Sequence, residues 1–216
     1  INNMQKVYLN GRSGKMGQVI VSRAKILNLH IVDNIQDSDV VIDFSHPSSI
    51  SDLLDQCIFH QKPLISGTTG FCETELFKLK LASKKIAILH ASNFSSGISS
   101  LKNSILKFLD SSSEKFHCEI EEVHHREKVD FPSGTALQLK DFIESIDKEK
   151  KIKSLKIISR RVKNIFGAHK VIFKNSKNYS EFIHEALSRD VFADGALINI
   201  KKILNLKPDL YELSDF

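Results

Sequence analysis

Short apolar runs alternate with helical stripes through the first half of the chain, and that alternation most narrows the folds open to it. "KVYLN" (6–10) reads as a strand. A glycine-rich turn then leads into Met16, Val19, Ile20, Ala24 and Leu27, spaced for one face of a helix. "LHIVD", "DVVIDF", "PLISG" and "IAILHA" read as further strands, with helices starting at Pro47 and over "ETELFKLKLASKK". "DVVIDF" is apolar almost throughout, as a strand covered on both faces must be. Strands joined by crossover helices build a Rossmann-like, doubly wound parallel α/β sheet.

The rhythm changes after Asn93. "ISSLKNSILKFLD" is an amphipathic helix with Ile98, Leu101, Ile105 and Phe108 on one side. "FHCEIEEV" then sets Phe116, Cys118 and Ile120 against His117, Glu119 and Glu121, a strand with one wet face. A helix over Thr135 to Ile146, strands at "SLKIIS", "AHKVIF" and "SEFIHEAL", and a last helix from Asp190 to Leu204 complete the chain. The expected organisation is a dinucleotide-binding domain of residues 1–94 plus 190–216. A smaller α+β domain of residues 95–189 is inserted into it.

Length and composition set wide bounds. The 216 residues suffice for two modest cores, and the 14 phenylalanines fill them in the absence of tryptophan. A net charge of +5 favours anionic ligands, but the lysines are scattered and form no nucleic-acid patch, so nucleic acid is not the expected partner. Cys57, Cys72 and Cys118 are widely spaced and follow neither a metal-knot nor a disulfide pattern. No metal is expected, and reduced thiols fit a cytoplasmic protein. No run approaches the length of a membrane span, and no signal peptide is read. Met4 reads as a natural start, with Ile1–Asn3 as an added leader.

"NGRSGKMG" follows the first strand and opens the first helix. Missing side chains at Gly11, Gly14 and Gly17 let backbone N–H groups approach a pyrophosphate. Ser13 stands where the middle glycine of such a fingerprint usually falls, and an ordinary strand-to-helix turn would read much the same way. Gly11, Arg12, Ser13, Gly14, Lys15 and Met16 are therefore candidate cofactor contacts. Asp33 ends the second strand, where a carboxylate can accept from a ribose; Arg12 and Lys15 could instead hold a 2′-phosphate. The first argues for NADH and the second for NADPH, and both stay open. Gly67, Thr68 and Thr69, then Ala91, Ser92, Asn93 and Phe94, follow parallel strands on the same expected edge and suit a nicotinamide ring.

"HHREKVDFPSGTAL" (124–137) puts two histidines, an arginine and a lysine before what reads as a helix start. Free N–H groups at such a start bind carboxylates, and the Ser133 and Thr135 hydroxyls can add bonds. Lys128 adds a fixed charge and His125 a further donor. Histidine is the side chain suited to proton transfer near neutral pH, so His124 is the candidate proton donor. The pattern suits a small dianion.

"EVHHREKVDFPSGTAL" closely resembles the signature of the dihydrodipicolinate reductase family, E-x-H-H-x-x-K-x-D-x-P-S-G-T-A, with every fixed position met. "GRSGKMG", "VVIDFSHP", "SGTTGF", "SNFSSG" and "RDVFADGAL" agree in order, so the resemblance covers nearly the whole chain. It implies NADH- or NADPH-dependent reduction of 4-hydroxy-tetrahydrodipicolinate, a cyclic dicarboxylate, in diaminopimelate and lysine biosynthesis. It also implies a hinge between a nucleotide domain and a substrate domain whose sheet forms a homotetramer. By matching position, His124 is the proton donor and acceptor and Lys128 a second donor, while His125, Gly134 and Thr135 bind substrate. The chain departs from the family in a brief segment between Asp33 and Asp39, a trimmed stretch before "GAHKVIF", and Ala168 where glutamate is usual. These departures touch the ribose contact and cofactor preference more than the chemistry. The other readings are a different two-domain dehydrogenase, a nucleotide-binding redox sensor without turnover, and a basic nucleic-acid binder.

Overall fold

A computed structural model of the chain describes residues 4–213. The reading of Ile1–Asn3 as a leader lies outside them. The chain divides into two compact units: residues 1–94 with 189–216, and residues 95–188.

The first unit is a six-stranded, all-parallel sheet. Its strands are β1 (Lys6–Asn10), β2 (His30–Val32), β3 (Val40–Asp43), β4 (Leu64–Ser66), β5 (Ala87–His90) and β10 (Asp209–Tyr211). They run in the order β10-β5-β4-β3-β1-β2. Alternation along the strands explains the two helix layers. Val40 and Ile42 pack with Ile20 and Ala24 of α1 (Lys15–Ile26) and with α6 (Asp190–Ile198) and α7 (Ile200–Ile203). Val41, between them, packs with α2 (Ile50–Phe59) and α3 (Glu73–Ala82) on the opposite face. The doubly wound expectation therefore holds.

Two details of the C-terminal part differ from the expected single helix. Asn199 ends α6 by donating its side-chain amide to the Gly195 carbonyl at 2.7 Å, and α7 restarts after it. β10 was not expected, because three residues behind Pro208 carry almost no periodic signal. Its strand character comes from pairing with β5, which no local pattern records.

The second unit is a four-stranded mixed sheet in the order β7-β6-β8-β9. The strands are β6 (Phe116–His125), β7 (Ile152–Val162), β8 (Ala168–Lys174) and β9 (Tyr179–Glu185). α4 (Ser96–Ser111) and α5 (Gly134–Ile146) cover one face, burying Ile98, Leu101, Ile105, Leu139 and Ile143 against Phe116, Cys118, Ile120, Val171 and Phe173. β6 and β7 are longer than their sequence patterns because they pair in parallel along their full length, out to His124 opposite Arg161 and His125 opposite Val162. Both histidines are thus strand residues. The opposite face carries a ladder of charges rather than bare wet side chains. Glu119, expected to be solvated, is buried under Lys156 (2.7 Å) and Lys174 (3.4 Å).

Candidate active site

The C-terminal edge of the first sheet gathers the glycine turn and both loops. Gly11 adopts φ +86°, and a Cβ there would lie 2.3 Å from the Phe44 carbonyl oxygen, so no other residue fits the turn without moving backbone. Gly14 caps α1 without a side-chain hydrogen bond, and the first turn carries no acidic residue. That helix start suits a phosphate. The edge is organised by a carboxylate that sequence reading passed over. Asp43, buried at the end of β3, accepts from Asn10 Nδ2 (2.9 Å), Ser66 Oγ (2.9 Å) and Thr68 Oγ1 (2.8 Å). Its position at the end of an apolar strand on the ligand edge was the available signal.

This network settles several candidate residues. Thr68 spends its hydroxyl on Asp43 and accepts from Ser45 N (3.0 Å), so its side chain faces inward. Ala91 and Phe94 are core residues, the latter with its ring centroid 5.9 Å from that of Phe44. Only their backbones could face a ligand, and Gly67, Thr69, Ser92 and Asn93 flank them. Lys15 begins α1 and Met16 packs on the core beneath it, while Ser13 stays exposed in the turn. Arg12 and Asp33, read as arguments for opposite cofactors, form an ion pair at 2.7 Å in solvent.

The second candidate cluster lies in the other unit. Phe116, Cys118 and Ile120 face the helices, so strand alternation puts Glu122 and His124 on that same side, where both are buried. His125 falls on the alternate side, and its carbonyl accepts from Lys128 N (3.2 Å), closing the turn that carries Lys128. Glu122 is the hub. His124 Nδ1 is hydrogen-bonded to its Oε2, Ser133 N donates to Oε1 (3.2 Å), and Arg161 Nη1 reaches both oxygens (2.9 and 3.0 Å). Burial alone would raise the Glu122 carboxyl, but the bonds from His124 and Arg161 and the His124 charge outweigh it and bring it down to about 2.

At the helix start, three N–H groups that the sequence suggested as free are occupied within the chain. Ser133 N goes to Glu122, Gly134 N goes to Asp130 Oδ2 (3.0 Å), and Ala136 N goes to Ser133 Oγ (3.2 Å). Two of the chain's own carboxylates thus occupy the N-terminus of α5, as the helix dipole favours. Lys128 Nζ lies 2.7 Å from Asp130 Oδ1. Thr135 is buried beside these groups. His169, on β8, lies with Nε2 3.2 Å from Ser133 Oγ and its ring 5.0 Å from that of His124. Burial, followed by the nearby His124 charge, pushes His169 down to about 3, so it is neutral at working pH.

Sequence reading assigned no part to Glu122, Asp130, Arg161 or His169. The first two stand inside the motif, and alternation from Phe116 points to Glu122. Arg161 and His169 belong to distant strands and announce themselves only through register. Among the described residues, no group of three or more His, Cys, Asp or Glu side chains is arranged to hold a metal ion. No helix among them is long and apolar enough to cross a membrane.

A parallel sheet of this order, with a glycine turn at its C-terminal edge and a second mixed-sheet unit, is the build of dinucleotide-dependent oxidoreductases, and this chain is an oxidoreductase of that class. Family models described as "Dihydrodipicolinate reductase, N-terminus" and "Dihydrodipicolinate reductase, C-terminus" match residues 25–94 and 98–216. A 4-hydroxy-tetrahydrodipicolinate reductase of Bdellovibrio bacteriovorus is 35% identical, covering 97% of this chain and 95% of its own length. A protein of that name from Nitratiruptor sp. is 32% identical over 98% of both chains. The solved structure of a dipicolinate-bound dihydrodipicolinate reductase from Paenisporosarcina sp. has the same fold, with a TM-score of 0.69, 19% identity and 97% of each chain covered. The chain belongs to the dihydrodipicolinate reductase family.

Proposed function

We propose that the chain carries out the reaction for which its relatives are named, the reduction of 4-hydroxy-tetrahydrodipicolinate to tetrahydrodipicolinate with loss of the 4-hydroxyl as water, in diaminopimelate and lysine biosynthesis. The observation that carries this reading is the pairing of a buried proton donor, His124, with the cationic arm that ends at α5. A ring bearing two carboxylates needs fixed positive partners. Lys128 and the α5 start at Ser133, Gly134 and Thr135 are assigned to supply them, a substrate carboxylate taking the place of Asp130 on Lys128 and Gly134 N, with His125 anchoring the turn. Asp130 holds Lys128 and Gly134 N together in the manner of a substrate carboxylate. That a relative of the same fold was solved with dipicolinate bound, itself a flat ring dicarboxylate, agrees with this assignment.

The edge built from Gly11 to Met16, with Asp33 and residues 67–69 and 91–94, fits a nicotinamide dinucleotide. A bound NADH or NADPH would supply the hydride that reduces one double bond of the dehydrated ring. The reduced ring then needs one proton, and His124 gives it through Nε2, since Nδ1–H is committed to Glu122. The Arg12–Asp33 pair carries a group for either cofactor, so use of both is proposed. The open charged face of the second sheet is assigned to a homotetramer contact, and the reduced cysteines to a cytoplasmic location.

A coupled assay tests the reading. Aspartate semialdehyde, pyruvate and the synthase that condenses them generate the substrate, and the absorbance of NADH or NADPH is followed in separate runs. Consumption that depends on all three components supports the proposal. Cofactor binding without consumption would favour the sensor reading instead.

A further inference from the structure

We propose that Arg161 is a positioning residue for this site: by clasping Glu122 it fixes His124 as the Nδ1–H tautomer and leaves Nε2 as the nitrogen that exchanges protons. This rests on the reading of His124 as the proton donor.

Glu122 has no exposed surface. A carboxylate so placed takes up a proton unless charge and hydrogen bonds hold it ionised. If it were protonated, its O–H would compete to donate to His124 Nδ1, and the tautomer would reverse. Ser133 N is a neutral donor, so the fixed positive charge among its partners is the guanidinium of Arg161. The strand register brings it there: Arg161 sits opposite His124 on β7, on the same face as Glu122. Arginine suits the place because it stays charged when buried and offers several donors in one plane.

The same guanidinium ties down the loop that carries Lys128. Nη2 donates to the Asp130 carbonyl, Nη1 also donates to the Arg160 carbonyl (2.8 Å), and the guanidinium carbon lies 4.9 Å from the centre of the Phe131 ring. One side chain therefore holds the carboxylate behind the proton donor and the segment bearing the second cation. A lysine could keep the charge but not all of these bonds at once.

The test combines nitrogen-15 NMR of the histidine rings with kinetics of Arg161→Gln, Arg161→Lys and Glu122→Gln. The wild type is expected to show His124 protonated at Nδ1 when neutral, with Nε2 carrying the lone pair. This readout needs no turnover, so it separates the inference from the proposed reaction. Arg161→Gln is expected to lower kcat on the order of 100-fold and displace the pH profile of kcat, with a smaller rise in KM as the Lys128 loop loosens, and with Arg161→Lys restoring part of the loss. A wild-type His124 protonated at Nε2 would overturn the inference even if every variant failed to fold. So would an Arg161→Gln enzyme with the wild-type kcat and pH profile.

Discussion

Asp130 bridges two groups that sequence reading had given to a ligand: its Oδ1 lies 2.7 Å from Lys128 Nζ and its Oδ2 accepts from Gly134 N at 3.0 Å. Burial would raise this carboxyl, but the Lys128 bond and charge and the Gly134 amide lower it overall. Because the folded value is depressed, its stabilisation is present above the unfolded carboxylate range and fades as pH falls through the folded value. Asp130→Asn is expected to cost about 1.5–3 kcal/mol at pH 7, the usual worth of a charged hydrogen bond. The cost should shrink below about pH 4. Denaturant melts at the two pH values measure it, and an equal loss at both would contradict the assignment.

His124 and Lys128 should separate in steady-state kinetics. On the proposed assignment His124 transfers a proton rather than pairing with a substrate carboxylate, so His124→Ala should lower kcat by about 10²–10⁴-fold with a small change in KM. Lys128→Ala removes charge that binds in the ground state and in the transition state, so both parameters should worsen. Initial rates over a substrate series decide the matter.

Gly167 faces His124, the proposed proton donor. A Cβ at this position would lie 2.9 Å from His124 Nε2, and the backbone there has φ +154°. Gly167→Ala should block the exchanging nitrogen and lower kcat at least tenfold, about 1.4 kcal/mol in barrier. The histidine ring signals should shift while the fold persists by circular dichroism.

His169 predicts a second pH dependence. Its folded value, about 3, lies below the 6.5 of the free side chain. The unfolded chain therefore binds the extra proton between these values, and stability falls as pH drops from 6.5 towards 3. One such group contributes a slope of up to about 1.4 kcal/mol per pH unit. His169→Gln should flatten the fall in melting temperature between pH 7 and pH 5. A variant that keeps the wild-type slope would place the dependence elsewhere.

The parts of this molecule that sequence made legible are those written in local pattern. Val40, Val41 and Ile42 disclose a strand covered on both sides, and the crossover helices then leave little freedom of topology. The stretch around His124 was equally plain as a place for chemistry. What escaped depends on contacts between distant segments. β10 is a strand only because β5 offers an edge. Arg161 joins His124 through a register that no spacing encodes. The α5 start looked open because its own acceptors, Glu122 and Asp130, lie before it in the chain and fold back onto it.

The central claim is that the arm from His124 to Thr135 grips a flat dianion. Calorimetric titration with dipicolinate tests it most directly, using the wild type, His124→Ala and Lys128→Ala. The expected result is saturable binding to the wild type, weakened at least tenfold, about 1.4 kcal/mol, in Lys128→Ala and much less in His124→Ala. Failure of the wild type to bind, or equal affinity in Lys128→Ala, would contradict the account.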